Sequence, residues 1–432
     1  MKRLLISAAH KSSGKTTLSI GLGAALRQRG LAVQPFKKGP DFIDPMWLSL
    51  ATGRDCHNLD FFLMGREEIL RTFTTRSQGA DISLIEGNKG LYDGLSLDGS
   101  NSNAALATLL ATPVVLVIDA RGMTRGIAPL ILGYQAFDRD IRIAGVILNQ
   151  LGGSRHEAKL RAVIEHYTDI PVLGAVHRDD RLTIVERHLG LMPSNEATEA
   201  KARIDAIASL IADSVDLDRL LGIASKVPAF APAATPSPPP VPAGARENHA
   251  HPLDGADVHR TSATSPSRLP QAGEGGEPSA LRATPIRLGI ARDAAFAFYY
   301  PGDLEALRAA GAELVPINTL QDRKLPDVDA LLIGGGFPEV FMTQLEANAS
   351  LRHQIRLAIE TGLPAYAECG GLMYLARSLS WNGQRCEMAG VIPGDVVMHD
   401  RPMGRGYVVL RETGRGLWPA PATGPAPAEI RA

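Results

Sequence analysis

One short segment near the amino terminus limits the fold of this chain more than any other. An apolar run over residues 3–9 leads into AHKSSGKTT (9–17), and a helix-like stretch follows over 16–30. The segment matches the phosphate-loop pattern G-x-x-x-x-G-K-[ST] at each fixed position except the first, where Ala9 replaces glycine. Such a loop wraps backbone N–H groups around phosphates and points a helix N-terminus at them, so it predicts a strand, a turn and a helix in succession.

The chemistry of this loop predicts a site for ATP and Mg²⁺. Lys15 would reach the β and γ phosphate oxygens, and the Thr16 hydroxyl would bind the ion. A surface turn that merely contains GKTT is the alternative, but it accounts for neither the strand nor the helix. The predicted ATP-binding residues of the loop are Ser12, Ser13, Gly14, Lys15, Thr16 and Thr17.

Apolar runs alternate with helix-like segments along the rest of the chain. Consecutive Val, Ile and Leu residues are typical of strands that are buried on both faces of a parallel sheet. The alternation predicts an α/β fold with a doubly wound parallel sheet, followed by a second α/β domain. The predicted strands are 3–9, 31–36, 82–86, 113–119, 143–149 and 171–176, and then 286–291, 312–317, 329–335 and 363–368.

A proline-rich segment separates the two sets of strands. Residues 228–285 hold 12 of the 30 prolines and have neither helical nor strand periodicity. Such a segment buries too little apolar surface to offset its ordering entropy, so we predict a disordered linker. A tract for a partner that binds polyproline helices is the alternative. The predicted domains are therefore 1–227 and 286–432.

The overall composition excludes several classes of protein. Lys and Arg total 45 against 46 Asp and Glu, giving a net charge of −1, so no basic field would attract nucleic acid or an anionic membrane. Three cysteines are too few for a disulfide framework or a zinc cluster. No run of about 18 apolar residues is present to span a membrane. We expect a cytoplasmic protein that binds neither nucleic acid nor membrane.

Polar side chains gather after several predicted strands, where open α/β sheets bind ligands. KKGPDFIDP (37–45) and EGNKGLYDG (86–94) are two such segments. Glu86 and Asp119 are candidate Mg²⁺ ligands because the ion prefers carboxylate oxygens. A helix-capping or loop carboxylate is the alternative for each. Asn149, at the end of another strand, could bind a purine edge or simply end the strand.

Cys369 lies where a predicted strand turns into a helix. Two glycines follow it in AECGG (367–371), which is the sequence expected of a nucleophile elbow. We expect the helix N-terminus to lower the pKa of the thiol, and the N–H groups of Gly335 and Gly336 to form an oxyanion hole. The alternative is a buried cysteine that acts as a small apolar residue. The glycine-rich loop favours the nucleophile.

Taken together, these motifs resemble the cobyrinate a,c-diamide synthase family and its hydrogenobyrinate-using relatives. The resemblance rests on SSGKTT, FKKGPDFIDP, IEGNKGLYDG, GGGFPE and AECGG in this order, and it covers nearly the whole chain outside 228–285. It implies an ATP-binding domain similar to dethiobiotin synthetase, joined to a class I glutamine amidotransferase domain.

The resemblance also implies a reaction in cobalamin biosynthesis. ATP with Mg²⁺ would phosphorylate the a and c carboxylates of a corrin tetrapyrrole, and ammonia released from glutamine would convert each acyl phosphate to an amide. A homodimer is compatible with the sequence. By this resemblance Cys369, Lys15 and Asp93 are catalytic, Thr16, Asp41 and Glu86 bind the metal, Asp44, Tyr92 and Asp93 bind the substrate, and Asn149 binds adenine.

Three alternatives remain open. Cobyric acid synthase amidates other carboxylates of the same ring, although the GPDFIDP segment favours the diamide enzyme. A partitioning ATPase of the phosphate-loop class would carry a second lysine where this chain has His10, and it would lack the cysteine domain. A non-catalytic remnant of the family is the third alternative, because the carboxyl-terminal segment that would carry the catalytic histidine is not found in this sequence.

The carboxyl terminus gives the last expectation. An amidotransferase cysteine needs a base, normally a histidine late in the domain. In the family this histidine follows a GEIRA-like stretch and lies in a segment that reads roughly HEFHYS. This chain ends at AEIRA (428–432), and after Cys369 its only histidine is His399. We therefore expect a truncated chain that retains ATP-dependent synthesis with ammonia, is impaired with glutamine, and has His399 in a loop.

Overall fold

The structure is a computed structural model that describes residues 1–182, 184, 186–187, 190–191, 199–229, 285–399, 406–411 and 429–431. The predicted linker lies outside the described residues, apart from its two ends. The strands are β1 (Arg3–Ala8), β2 (Val33–Lys38), β3 (His57–Leu59), β4 (Ile82–Glu86), β5 (Val114–Asp119), β6 (Ile143–Leu151), β7 (Val172–His177), β8 (Glu186–Arg187), β9 (Gly190–Leu191), β10 (Ile286–Ala291), β11 (Phe296–Phe298), β12 (Ala312–Ile317), β13 (Ala330–Ile333), β14 (Gly335–Gly336), β15 (Ala365–Ala367), β16 (Ala376–Trp381), β17 (Gln384–Glu387), β18 (Ile392–Val397), β19 (Val409–Arg411) and β20 (Glu429–Arg431). The α-helices are α1 (Lys15–Gln28), α2 (Ile43–Thr52), α3 (Arg66–Arg76), α4 (Asn103–Leu109), α5 (Ile127–Phe137), α6 (Ser154–Tyr167), α7 (Ala200–Ser214), α8 (Leu217–Ser225), α9 (Pro301–Ala309), α10 (Met342–Ala347), α11 (Ala349–Glu360) and α12 (Gly370–Leu375).

The first half of the chain forms a seven-stranded sheet in the order β3-β2-β4-β1-β5-β6-β7, and all its pairings are parallel. Alternate residues of β1 enter different apolar clusters, since Leu4 and Ile6 lie in one and Leu5 in the other. This is what the two-residue period of a strand requires of a sheet covered on both faces. The predicted doubly wound fold is confirmed.

The boundaries of the second strand differ from the prediction. β2 begins and ends later than the predicted run over 31–36, so Lys37 and Lys38 belong to the strand and are buried. The prediction placed both lysines after the strand, and a buried ammonium group is costly unless it is paired. Here Lys37 is paired with carboxylates, which the apolar pattern alone could not reveal. The short strand β3 was not predicted either, since its His-Asn-Leu sequence has no strand periodicity.

The second half of the chain contains a four-stranded parallel sheet in the order β12-β10-β13-β15. These are the four strands predicted there, and a separate apolar cluster covers them. The three-stranded sheet β17-β16-β18 was not predicted. None of the helices in the described part of the chain has the length and apolarity that crossing a bilayer requires.

The first apolar cluster extends across both halves of the chain. Besides residues of α1, α2 and α7, it contains Phe298 of β11 and Phe337, which follows β14. Arg76 of α3 forms an ion pair with Glu305 of α9, and the Tyr407 hydroxyl donates a hydrogen bond to Asp60. Side chains of the second half therefore pack directly against the half that carries the phosphate loop.

Candidate active sites

The phosphate loop has the local geometry that its sequence predicts. It follows β1, it includes Ser12 and Gly14 at φ values of 63° and 84°, and α1 begins at Lys15. The Asn149 Nδ2 atom donates a 2.8 Å hydrogen bond to the Ser13 carbonyl, and a Cβ on Gly14 would collide with the same amide. Glycine is therefore required at position 14 both by the left-handed backbone and by the close approach.

The loop residues differ in their exposure. Ser12 is exposed, whereas Ser13 is buried and its hydroxyl donates to the His10 carbonyl at 2.7 Å. Lys15 is buried as well. Burial lowers the pKa of Lys15, and the charges of Glu86 and Asp44 oppose that shift. Thr16 and Thr17 follow in the first turn of α1, directly below the loop.

A buried lysine occupies the centre of the acidic cluster beside this loop. Lys37 Nζ lies 2.5 Å from Asp44 Oδ2 and 2.9 Å from Glu86 Oε1, with Asp41 Oδ2 at 3.8 Å. Burial alone lowers the pKa of Lys37, but the carboxylates of Asp44, Glu86 and Asp41 outweigh burial and raise it well above its usual value. The cluster therefore contains its own cation, which the sequence analysis did not assign a role.

The same carboxylates converge on the hydroxyl predicted to bind Mg²⁺. Thr16 Oγ1 donates to Glu86 Oε1 at 2.7 Å and lies 3.2 Å from Asp44 Oδ2. Glu86 Oε2 is buried and has no hydrogen-bond partner among the described residues. No three carboxylate, histidine or cysteine side chains in the described ranges are placed to hold an ion by themselves. The set fits Mg²⁺ that is shared with nucleotide phosphates and water, the usual coordination in phosphate-loop proteins.

Asp41 has a structural role beside this cluster. Its Oδ1 accepts hydrogen bonds from the backbone N–H groups of Ile43 and Asp44 at 2.9 and 3.1 Å, so it caps the start of α2. Burial and the neighbouring Asp44 raise the pKa of Asp41 to about 7, while Lys37 acts in the opposite direction. Its predicted role as a metal ligand stays a prediction.

Two other predicted residues use their polar atoms within the protein. Asp93 Oδ2 accepts the Gly90 N–H at 2.8 Å and closes the turn after β4. The Tyr92 hydroxyl donates to the Tyr134 carbonyl at 2.6 Å, and burial raises the pKa of Tyr92 to about 12. Their substrate and catalytic roles stay predictions. Asp119 binds the Arg121 guanidinium with both oxygens, which is the loop-carboxylate alternative considered for it.

The second site lies at Cys369, at the turn between β15 and α12. Cys369 has φ 49° and ψ −116°, a strained backbone conformation that is typical of a nucleophile elbow. The backbone amides of Gly370 and Gly336 donate hydrogen bonds to its sulfur. Gly335 and Gly336 thus lie beside Cys369, and their role as an oxyanion hole stays a prediction. His399 follows β18, is exposed, and lies in neither a helix nor a strand.

Family comparisons match both halves of the chain. A CobQ/CobB/MinD/ParA nucleotide binding domain matches residues 5–191, and a CobB/CobQ-like glutamine amidotransferase domain matches residues 287–420. A cobyrinate a,c-diamide synthase of Magnetococcus marinus is 46% identical over 96% of this chain and 82% of its own length. Relatives of the same name from Listeria innocua and Methanosarcina acetivorans are 40% and 43% identical over 96% and 93% of this chain, and over 83% and 73% of their own lengths.

The chain belongs to the cobyrinate a,c-diamide synthase family. This membership confirms the family that the motifs indicated, and it assigns the phosphate loop and the cysteine elbow to two domains of one amidotransferase architecture.

One expectation about the elbow is wrong. The helix N-terminus was predicted to lower the pKa of the Cys369 thiol, but burial raises it, and the two amide hydrogen bonds only partly oppose this effect. The helix α12 has only six residues, so its N-terminus is too weak to outweigh the effect of burial on this pKa. Cys369 is therefore mainly a neutral thiol near pH 7, although the residue is exposed.

This raised pKa predicts how Cys369 reacts with iodoacetamide. Because only the thiolate reacts, we expect slow labelling at pH 7 and a rate that rises about tenfold per pH unit up to pH 9. Cys56 and Cys386 are buried, so the first added mass on the intact protein should report Cys369, with Cys369→Ser as the control. A rate that is already at its plateau at pH 7 would contradict the raised pKa.

The glycines of the elbow make a separate stability prediction. A Cβ on Gly371 would collide with the Ile333 carbonyl oxygen of β13. We expect Gly371→Ala to cost about 3 kcal/mol, because backbone atoms on both sides would have to move. Gly302→Ala is the matched control, since no atom lies within 4 Å of its added methyl group. Thermal unfolding of both variants tests this, and equal melting temperatures would refute it.

The sequence did not reveal two residues that organise the candidate nucleotide site. Lys37 was noted but given no role, because its burial is visible only when β2 is placed in the sheet. Asn103 had no sequence signal at all. Its side chain bonds the Asn88 and Gly90 carbonyls at 2.5 and 2.8 Å and fixes the loop that follows Glu86.

Proposed function

We propose that this chain catalyses the ATP-dependent amidation of the a and c carboxylates of cobyrinic or hydrogenobyrinic acid in cobalamin biosynthesis, with glutamine as the natural nitrogen donor. The observation that carries the proposal is the convergence of Thr16, Asp44, Glu86 and Lys37 beside a phosphate loop, in a chain that also carries a cysteine elbow. Relatives that are named cobyrinate a,c-diamide synthase support the choice of substrate.

The first step makes the carboxyl carbon reactive. A substrate carboxylate oxygen attacks the γ phosphorus of ATP, the bond to the β–γ bridging oxygen breaks, and ADP leaves. Phosphoryl transfer depends mainly on positioning and on neutralising charge on the phosphate oxygens. Lys15 and Lys37 supply two ammonium groups for this purpose, and the amides of the loop supply further donors.

Mg²⁺, when bound, would neutralise charge on the β and γ phosphate oxygens. Thr16, Glu86 and Asp44 are the residues that would hold it, since their oxygens already converge and one Glu86 oxygen has no partner in the described part of the chain. In that state Lys37 no longer has to balance the carboxylates alone, and its ammonium group can turn toward the phosphates.

The second step uses ammonia. Cys369 Sγ attacks the side-chain amide carbon of glutamine, ammonia leaves, and water releases glutamate from the thioester. The N–H groups beside Cys369 would stabilise the oxyanion that forms at the amide oxygen. Ammonia then attacks the acyl phosphate carbon, phosphate leaves, and the nitrogen loses a proton to give the amide.

Mass spectrometry of the product tests the proposal. The chain is incubated with ATP, Mg²⁺ and either ammonium or glutamine, with cobyrinic and hydrogenobyrinic acid in separate reactions. We expect one and then two carboxyl-to-amide conversions, each accompanied by one ADP. More than two conversions would assign the chain to cobyric acid synthase chemistry. No amide with either acid and either donor would refute the proposal.

A further inference from the structure

Three aromatic rings stack where the two halves of the chain meet. Phe42, which immediately precedes α2, lies 4.2 Å from Tyr300 with 19° between the ring planes. The Phe298 ring is nearly parallel to Phe42, with a centroid distance of 5.5 Å and an angle of 5°. Phe337 packs edge-on against Phe298 at 5.4 Å. We call Phe42, Phe298 and Tyr300 the aromatic stack.

One end of the aromatic stack is joined to the nucleotide site. Phe42 is flanked by Asp41, which caps α2, and lies two residues before Asp44 on the same turn. Asp44 contacts Lys37 and the Thr16 hydroxyl, two groups of the candidate nucleotide site. A nucleotide with its ion would exchange the ammonium partner of Asp44 for a metal ion, and a shift of Asp44 in that exchange would reach Phe42 through the first turn of α2.

The other end of the aromatic stack is joined to the cysteine elbow. Phe298 belongs to β11, which pairs with Gly335 and Gly336 of β14. A Cβ on Gly335 would lie 3.2 Å from Phe298 Cβ and 3.4 Å from Cys369 Cβ, so the three residues are in close contact. Phe298 is also 7% exposed and lies within the first apolar cluster, so its ring cannot shift without displacing its neighbours.

We propose that Phe42 is a positioning residue that couples occupancy of the nucleotide site to the geometry of β14 and to the reactivity of Cys369. The path has four contacts, from Asp44 through Phe42 and Phe298 to Gly335 and Cys369. It deepens the proposed function, because it would let the nucleotide site control ammonia release. Its test requires only nucleotide binding and a reactive thiol.

The test measures how nucleotide changes the alkylation rate of Cys369. Full-length chain is treated with iodoacetamide at pH 8, with and without saturating ADP and Mg²⁺, and intact mass gives the rate. We expect nucleotide to change the rate by about fivefold or more, the lower end of typical couplings. In Phe42→Ala and Tyr300→Ala the change should fall below about twofold, and Phe42→Tyr should retain it.

Two controls separate coupling from damage to the fold. Tyr167→Ala removes an aromatic ring from α6, far from the aromatic stack in the sequence. Among the described residues, the Tyr167 ring lies under the Arg125 guanidinium and beside its neighbour His166. This variant should keep the full response to nucleotide. Calorimetric titration of ADP with Mg²⁺ on each variant should give affinities within about threefold of the parent chain. A purely structural role for Phe42 would lower the melting temperature and the affinity together.

The outcomes are distinct. An equal nucleotide response in Phe42→Ala and the parent chain would overturn the coupling through this residue. A parent chain that binds nucleotide but labels at an unchanged rate would overturn the coupling altogether and leave the proposed function standing. A parent chain that binds no nucleotide would refute both.

Discussion

Lys15→Ala is expected to lower the rate of ATP-dependent amidation about a hundredfold to a thousandfold with either nitrogen donor. This is the usual effect of removing one group that stabilises charge in a transition state. Lys15 is buried at the first position of α1, whereas Lys37 extends from β2, so Lys37 would add its charge at the phosphates without taking the place of Lys15. Amidation of the corrin acid with saturating ammonium, followed by mass spectrometry, measures the effect.

Lys159→Ala is the matched control for this experiment. Lys159 is an exposed lysine on α6, so its loss changes the net charge by the same amount without touching the loop. We expect its amidation rate to stay within about twofold of the parent rate, as for most surface substitutions. Near-normal amidation by Lys15→Ala would reject the phosphate loop as the ATP site.

Lys37→Met is expected to lower the stability of the metal-free chain by about 3 kcal/mol, the lower end of the range for breaking a buried ion pair. The substitution leaves Asp44 and Glu86 facing each other without the ammonium group that now lies within 2.9 Å of both. Millimolar Mg²⁺ should restore part of the loss, because the ion can bind these oxygens and binding to the folded state stabilises it. Melting temperatures with and without Mg²⁺ measure this.

Lys38→Met provides the comparison. Lys38 is the adjacent residue, is also buried, and donates to the Asn101 carbonyl at 2.6 Å instead of bridging carboxylates. Its replacement should make the melting temperature no more sensitive to Mg²⁺ than that of the parent chain. If Mg²⁺ raised the melting temperature of Lys37→Met and the parent chain equally, the carboxylates would not be the metal site.

Much of the fold could be predicted because its central strands are apolar over consecutive residues. β1, β4 and β5 are buried along their whole length, so their Val, Ile and Leu runs could be located within a residue or two. β3 and the β16–β18 sheet carry no such run. Their positions depend on partners distant in sequence, and no local pattern encodes those partners.

The candidate sites were predictable to the extent that they follow the strand ends. Gly14, Lys15, Thr16 and Glu86 come together because β1 and β4 are neighbours in a parallel sheet. The contact of Phe42 with Tyr300 and Phe298 could not be predicted, since it joins residues that are far apart in the sequence and no local pattern links them. The pKa of Cys369 was mispredicted because it depends on burial, which the motif does not specify.

A lysine that bridges the carboxylates of the proposed magnesium site would also determine when the ion can enter. While Lys37 contacts Asp44 and Glu86 and Lys15 lies beside them, two ammonium groups balance these two carboxylates, and the site attracts free Mg²⁺ weakly. The phosphates of a nucleotide would supply the extra negative charge that draws the ammonium group away and brings the ion in. We therefore expect ordered binding, in which the chain takes up Mg²⁺ as its complex with ATP and shows little affinity for the ion alone. Folding would then be independent of the cellular supply of magnesium, and only turnover would depend on it.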